Sequence, residues 1–174
     1  MNDKAERLQH RLGSEIRAFR DSRYTLQLGT VDQKGKPHTS YAPFAFSEQG
    51  YYILVSDLAQ HGQNLKTNKA VSIMMIEDEG EADSIFVRRR LSFDTSAERI
   101  ERDTAHWPVA MAVMRKRLGG MVTNLSQLSD FHLYCLNPLL GRYVKGFGQA
   151  FEVSGQAMLS VVHLNRGHEN NSAN

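Results

Sequence analysis

The sequence predicts a mainly β protein, antiparallel, with a few peripheral helices. Three observations lead there. Six or seven short stretches are rich in β-branched and aromatic residues. Turn clusters at Gln33-Lys34-Gly35-Lys36 and Ser47-Glu48-Gln49-Gly50 divide the first three of them as in a meander. Helical spacing is confined to short segments before and between the strands. Periodicity leaves two architectures open, a small β-barrel with helices outside it and an open α+β sheet.

Taken in order, residues 3–20 read as a helix, because Leu8, Leu12, Ile16 and Phe19 recur at a spacing of three to four. It should end near Asp21 and Ser22. Strands are expected at 24–31, at 38–46 (with Pro43 marking an edge or bulge) and at 51–55. Ser56 and Asp57 suit helix N-caps, which predicts a short helix to about Asn68. The apolar run 70–76 reads as a strand. An acidic turn with Glu77, Asp78, Glu79, Glu81 and Asp83 follows, then a long strand from about Ser84 to Ala97. Residues 98–118 read as helical, interrupted at Trp107-Pro108. Arg115, Lys116 and Arg117 ahead of Gly119-Gly120 fit a helix C-terminus. A short helix near 122–128, strands at 131–136 and 141–153, and a last short helix at 155–162 complete the pattern. The tail NRGHENNSAN is too polar to pack. The chain thus divides into an N-terminal helix (1–22), one domain (23–163) and a flexible C-terminal tail (164–174).

Composition narrows the function classes. The 174 residues are 41% hydrophobic and 23% charged, ordinary for one globular domain. A net charge of +2, from 21 basic and 19 acidic side chains, gives no basic stripe for nucleic acid. No stretch approaches the ~20 apolar residues of a membrane span, and the N-terminus lacks the apolar core of a secretory signal. A single cysteine, Cys135, leaves no internal disulfide and no cysteine-cluster metal site. These features predict a cytoplasmic protein.

The chain carries no phosphate loop, no G-x-S-x-G and no H-E-x-x-H. Its seven histidines never stand four apart as a helical metal site requires. Other residues deserve separate weighing. His168 follows Gly167 near the C-terminus, where a mobile segment can carry an imidazole to a ligand, or leave it idle in solvent. Gly146-Phe147-Gly148 suits a bulge, a close approach to a flat ligand, or a simple barrel corner. On a strand, Arg88 and Arg90 share one face and can grip phosphate or carboxylate, or merely face the acidic turn across solvent. Asp130 can cap a turn or accept the second N–H of a metal-bound imidazole. His61 reads as a helix-surface residue. Met74, Met75, Met111, Met114 and Cys135 read as packing.

Three segments then resemble a known family. Residues 130–150, DFHLYCLNPLLGRYVKGFGQA, are similar to the D-F-x-L-Y … P … V-x-G-F-G-x-A pattern of the flavin-binding split barrels related to pyridoxamine phosphate oxidase. LAQHGQNL (58–65) resembles its L-A-x-H-x-x-N-L helix, and VRRRLS (87–92) its arginine-rich strand. The agreement runs in order from about Arg23 to Glu152. The RGH near the end points within this superfamily to the HutZ/HugZ heme-utilisation group, since the ordinary flavin enzymes lack it.

That resemblance implies a split β-barrel that dimerises, with heme at the subunit boundary. It implies an oxygenase that opens the heme ring to a biliverdin-like product and releases iron. It casts His168 as the ligand of the heme iron and Asp130 as the acceptor that strengthens its electron donation. Arg88 and Arg90 would meet propionates or, for Arg90, hydrogen-bond on the distal side of the iron. Phe147 would lie against the disc, and His61 would reach Asp130 across the dimer. Electrons would come from an external donor, so reductase and heme-delivery partners are implied. Two rivals stay open. One is a heme carrier without chemistry. The other is an FMN-dependent oxidoreductase, because the arginine strand can hold a flavin phosphate as readily as a propionate.

Overall fold

A computed structural model describes residues 3–154 and 160–163, with side chains from 6 to 154. Helix α1 (Asp3–Ser22) precedes strands β1 (Thr25–Val31), β2 (Pro37–Ser47) and β3 (Gly50–Ser56). After α2 (Gln60–Leu65) come β4 (Ala70–Ile76) and β5 (Arg90–Ile100). Helices α3 (His106–Leu118) and α4 (Met121–Ser126) lead to β6 (Phe131–Gly146), β7 (Gln149–Ser154) and β8 (Ser160–His163).

All pairings are antiparallel, in the order β3-β2-β1-β4-β5-β6-β7-β8. A further β3–β6 pairing closes the first six strands into a barrel. Strand β6 makes this a split barrel. Its first part (131–136) pairs with β3, and its second part (140–146) leaves that seam to pair with β7. Closure removes the unpaired edges that an open sheet would expose between β3 and β6, and it decides between the two architectures in favour of the barrel.

The uninterrupted apolar run of β3 follows from its position. Tyr51, Ile53 and Val55 point into the barrel, where Leu28, Phe44, Ile73, Leu91 and Tyr134 meet them. Tyr52 and Leu54 point outward into a second core with Leu133, Cys135, Ala110, Met111 and Met114. Both faces are therefore buried, each large side chain contributing about 2 kcal/mol. Helix α1 joins the inner core through Leu12, Ile16 and Phe19. Leu8, expected on that stripe, is exposed.

Several sequence expectations change. Residues 84–89 are not strand: Val87 N–H bonds Ser84 O at 3.1 Å in a turn, and β5 starts at Arg90. Residues 98–100 continue β5 instead of opening a helix, because Ile100 packs in the outer core against Leu133. Strands 131–136 and 141–153 become one long β6 and a separate β7, divided at Phe147-Gly148, where Gly148 has φ +65°. The last short helix is corrected at 160–163, which form β8 on β7, while 155–159 lie outside the described residues. Ser56 and Asp57 do not cap a helix; α2 starts at Gln60 after Ala59, with no side-chain cap.

Candidate functional site

The outward faces of β2 and β3 carry Tyr41, Pro43 and Leu54, alternating with side chains buried in the barrel. Helices α3 and α4 rise beside them and present Met114, Leu118, Met121, Val122 and Leu125. Between them runs a groove of about 580 Å³ that also takes in Tyr24, Thr25, Ser56 and His61. No lysine or arginine is among its lining residues. Such a groove receives a flat apolar body and offers nothing to neutralise a phosphate inside it.

Two polar groups at the groove are held by serines. Ser56 Oγ donates to Asp130 Oδ2 at 2.5 Å, and Asp57 N–H donates to Asp130 O at 2.8 Å. His61 Nδ1 lies 2.9 Å from Ser40 Oγ. Burial, and secondarily the nearby His38, hold the His61 ring below its usual pKa, so it stays neutral. Gly62 makes this meeting of elements achievable. A Cβ there would stand 2.1 Å from Ser56 O, so only glycine lets α2 lie directly on the end of β3.

The turn that carries Asp130 is secured from behind. The Arg102 guanidinium donates to the carbonyls of Ser126, of Leu128 at 3.0 Å and of Phe131 at 3.1 Å, and stacks 4.8 Å over the Trp107 ring. Beside it, Asp57 Oδ2 meets Lys66 Nζ at 2.7 Å and His132 Nε2 at 2.8 Å. Burial opposes ionisation of Asp57, but the bonds from Lys66 and His132 outweigh it and hold the carboxyl below its usual range. Sequence reasoning saw Ser56 only as a cap and passed over Ser40, Gly62 and Arg102. Ser56 and Asp130 are far apart in the chain, and only the β3–β6 register, with Ser56 opposite Phe131, brings them together.

The arginine segment is differently placed. Arg88 Nε donates to Glu77 O at 2.7 Å, and its Nη1 reaches Glu79 Oε1 at 3.4 Å. Arg89 grips the buried Glu77 carboxylate through Nε at 2.7 Å and backbone N–H at 3.1 Å. Arg90 opens β5 on its outer face, opposite Ile76 and Val144, with Nη1 3.4 Å from Arg88 O. Arg88 also lines a smaller polar pocket of about 380 Å³, which shares Tyr24 and Thr25 with the apolar groove. Phe147, at the β6–β7 turn, is 73% exposed. His168 and the rest of the tail at 164–174 lie outside the described residues.

Of the remaining candidates, Met74 is half-buried at the polar pocket and Met114 is part of the groove wall, while the others pack. Met75, Met111 and Met114 are buried. Cys135 is buried too, and burial, with the charge of Glu98, pushes its thiol up to about 11, so it is no thiolate at neutral pH. Among the described residues no group of three His, Cys, Asp or Glu gathers as a metal site, and no helix is long and apolar enough to cross a membrane.

Comparison with known proteins agrees with this architecture. Residues 12–145 match the family model described as pyridoxamine 5'-phosphate oxidase. Heme oxygenase HutZ of Vibrio cholerae is 52% identical over 165 residues, which span 95% of this chain and 94% of HutZ. A crystal structure of Vibrio cholerae HutZ, described there as a heme storage protein, superposes with a TM-score of 0.70 at 50% identity, over 72% of this chain and 88% of the other. Campylobacter jejuni ChuZ gives a TM-score of 0.79 at 33% identity, over 88% of this chain and 62% of ChuZ. A split barrel, a family match over most of the chain and half-identity along nearly its whole length place this protein in the HutZ/HugZ family of the pyridoxamine 5'-phosphate oxidase-like split barrels.

Proposed function

We propose that this protein binds heme and opens its ring with oxygen, giving a biliverdin-like product and free iron. The observation that carries this is the apolar groove with a carboxylate fixed at its edge, Asp130 on Ser56. Heme is a flat apolar disc with two carboxylates. The disc suits the groove walls, and the carboxylates suit its open mouth. HutZ of Vibrio cholerae, at 52% identity, is named a heme oxygenase.

In this mechanism His168, from the C-terminal segment, ligates the heme iron. Asp130 accepts the imidazole's second N–H, which fixes the ring and increases its donation to the metal. Heme is the substrate and brings the oxygen chemistry; the chain supplies orientation, electrostatics and exclusion of water. Arg90 is the candidate for the distal side. Arg88, already bonded to Glu77 O and Glu79, steadies the turn behind Arg90 and has less freedom to meet a propionate. Phe147, exposed at its turn, is available to cover the disc or a second subunit. The functional unit is a homodimer with heme at the seam, where His61 meets Asp130 of the other subunit. An external reductant supplies the electrons, and the setting is cytoplasmic.

The carrier alternative is favoured by one finding, the description of HutZ from the same bacterium as a heme storage protein. For the flavin alternative, a phosphate would sit outside the groove, toward Arg88 in the adjoining polar pocket, since the groove lining itself holds no cation. The test is mutational. His168→Ala should abolish the Soret band of the heme complex. Asp130→Asn should keep heme bound and slow ring opening about tenfold. An unaltered spectrum in the first variant removes His168 as ligand, and normal turnover in the second removes Asp130 from the mechanism.

A further inference from the structure

Asp130 is held from one side by a hydroxyl whose hydrogen has a fixed direction. Ser56 Oγ receives the backbone N–H of Leu58 at 3.1 Å. An N–H can only donate, so it occupies an acceptor site of that hydroxyl, and the one hydroxyl hydrogen is left for Asp130 Oδ2 at 2.5 Å. The two backbones are locked as well, since Ser56 pairs with Phe131 and Asp57 N–H bonds Asp130 O at 2.8 Å. Among the described residues the one hydrogen bond to the Asp130 side chain is that of Ser56 on Oδ2. The carboxylate is thereby pinned by one oxygen and offers the other.

We propose that Ser56 is a positioning residue for heme chemistry. Its hydroxyl ties down Oδ2 of Asp130 and leaves Oδ1 to accept the N–H of the iron-ligating imidazole. This rests on the role of Asp130 given under Proposed function. Losing the hydroxyl frees the carboxylate to rotate and removes the donor that withdraws charge from it. The imidazole then meets a more basic but less ordered acceptor, and the iron–imidazole bond registers the change.

The test uses the full chain with heme bound. Resonance Raman spectroscopy of the ferrous complex reads the iron–imidazole stretch, and separate measurements give heme affinity and the rate of ring opening. Ser56→Ala should shift the stretch and slow ring opening about tenfold, a larger loss than any change in heme affinity. Ser56→Thr, which keeps the hydroxyl, should restore both. Ser56→Cys, a weaker donor of similar size, should shift the stretch less and in the same direction, which preserves the test if the alanine variant folds poorly. Placed on Asp130→Asn, Ser56→Ala should add nothing, because the two residues act as one unit. A stretch at the wild-type position in Ser56→Ala overturns the proposal, as does a shift that persists undiminished on Asp130→Asn. Should the wild-type chain bind heme without opening it, the enzymatic role fails while the stretch still decides for or against Ser56.

Discussion

The groove and the polar pocket at the arginine segment lie side by side, share Tyr24 and Thr25, and use polar groups in opposite ways. In the arginine segment, charges satisfy one another, Arg88 and Arg89 locally and Arg23 from the start of the barrel. Glu77 takes Arg89, Glu79 takes Arg88, and Arg23 reaches Asp78 at 3.0 Å and Glu81 at 2.9 Å. In the groove, neutral hydroxyls hold the polar groups: Ser56 holds Asp130 and Ser40 holds His61. A charge already matched by its neighbour stabilises a turn. A charge steadied only by a hydroxyl keeps hydrogen-bonding capacity for a ligand. The denser run of charge is thus largely architectural, and the sparse polar points in an apolar wall are the better candidates for chemistry.

Three variants sharpen or break this contrast. The largest effect belongs to the groove. Met121 lines it and is 65% exposed, so Met121→Glu should fold normally. A carboxylate set against an apolar disc and facing heme's own two carboxylates costs about 3 kcal/mol, so heme affinity, followed by Soret titration, should fall about a hundredfold. Affinity equal to wild type would move the ligand elsewhere.

Glu77→Gln comes next and concerns stability. Glu77 is buried, and burial opposes its ionisation, but the side-chain and backbone bonds from Arg89 outweigh that and hold the carboxyl below its usual range. Its contribution is therefore complete above the unfolded carboxylate value and is lost as pH falls through the lower folded value. Denaturant unfolding at neutral pH should show Glu77→Gln weaker by about 2 kcal/mol, with the gap narrowing in acid and heme affinity unmoved. A variant that loses heme at neutral pH while remaining stable would place the arginine segment inside the site.

The smallest effect is at His61. Its folded pKa is depressed, chiefly by burial. The unfolded chain takes the proton near pH ~6.5, the folded chain only at lower pH, so stability declines as pH drops below that value. His61→Gln should flatten the slope between the two. A variant with the slope of wild type would show that His61 is not held neutral by its surroundings.

Much of the barrel was legible because its strands alternate or, in β3, are apolar on both faces. The boundaries that failed were set by distant contacts. The stretch 84–89 has strand-like residues, but Glu77 draws Arg89 back and starts β5 at Arg90. Residues 98–100 look helical by charge, yet Ile100 is needed in the outer core. Within the site, Asp130 and His61 could be named because a family pattern marks them. Ser40, Ser56 and Arg102 could not, because a serine before a turn or an arginine after a strand has no local signature. Their partners lie tens of residues away and meet them only through strand register and the packing of α2 and α4.

The central claim is that heme is consumed as well as bound. Purified protein loaded with ferric heme, given a reductant and air, and followed by absorbance and by an iron chelator should lose its Soret band, release iron and yield a biliverdin-like tetrapyrrole. A Soret band that survives reduction and oxygen unchanged, with all the iron still in the porphyrin, would contradict the account and leave a carrier of intact heme.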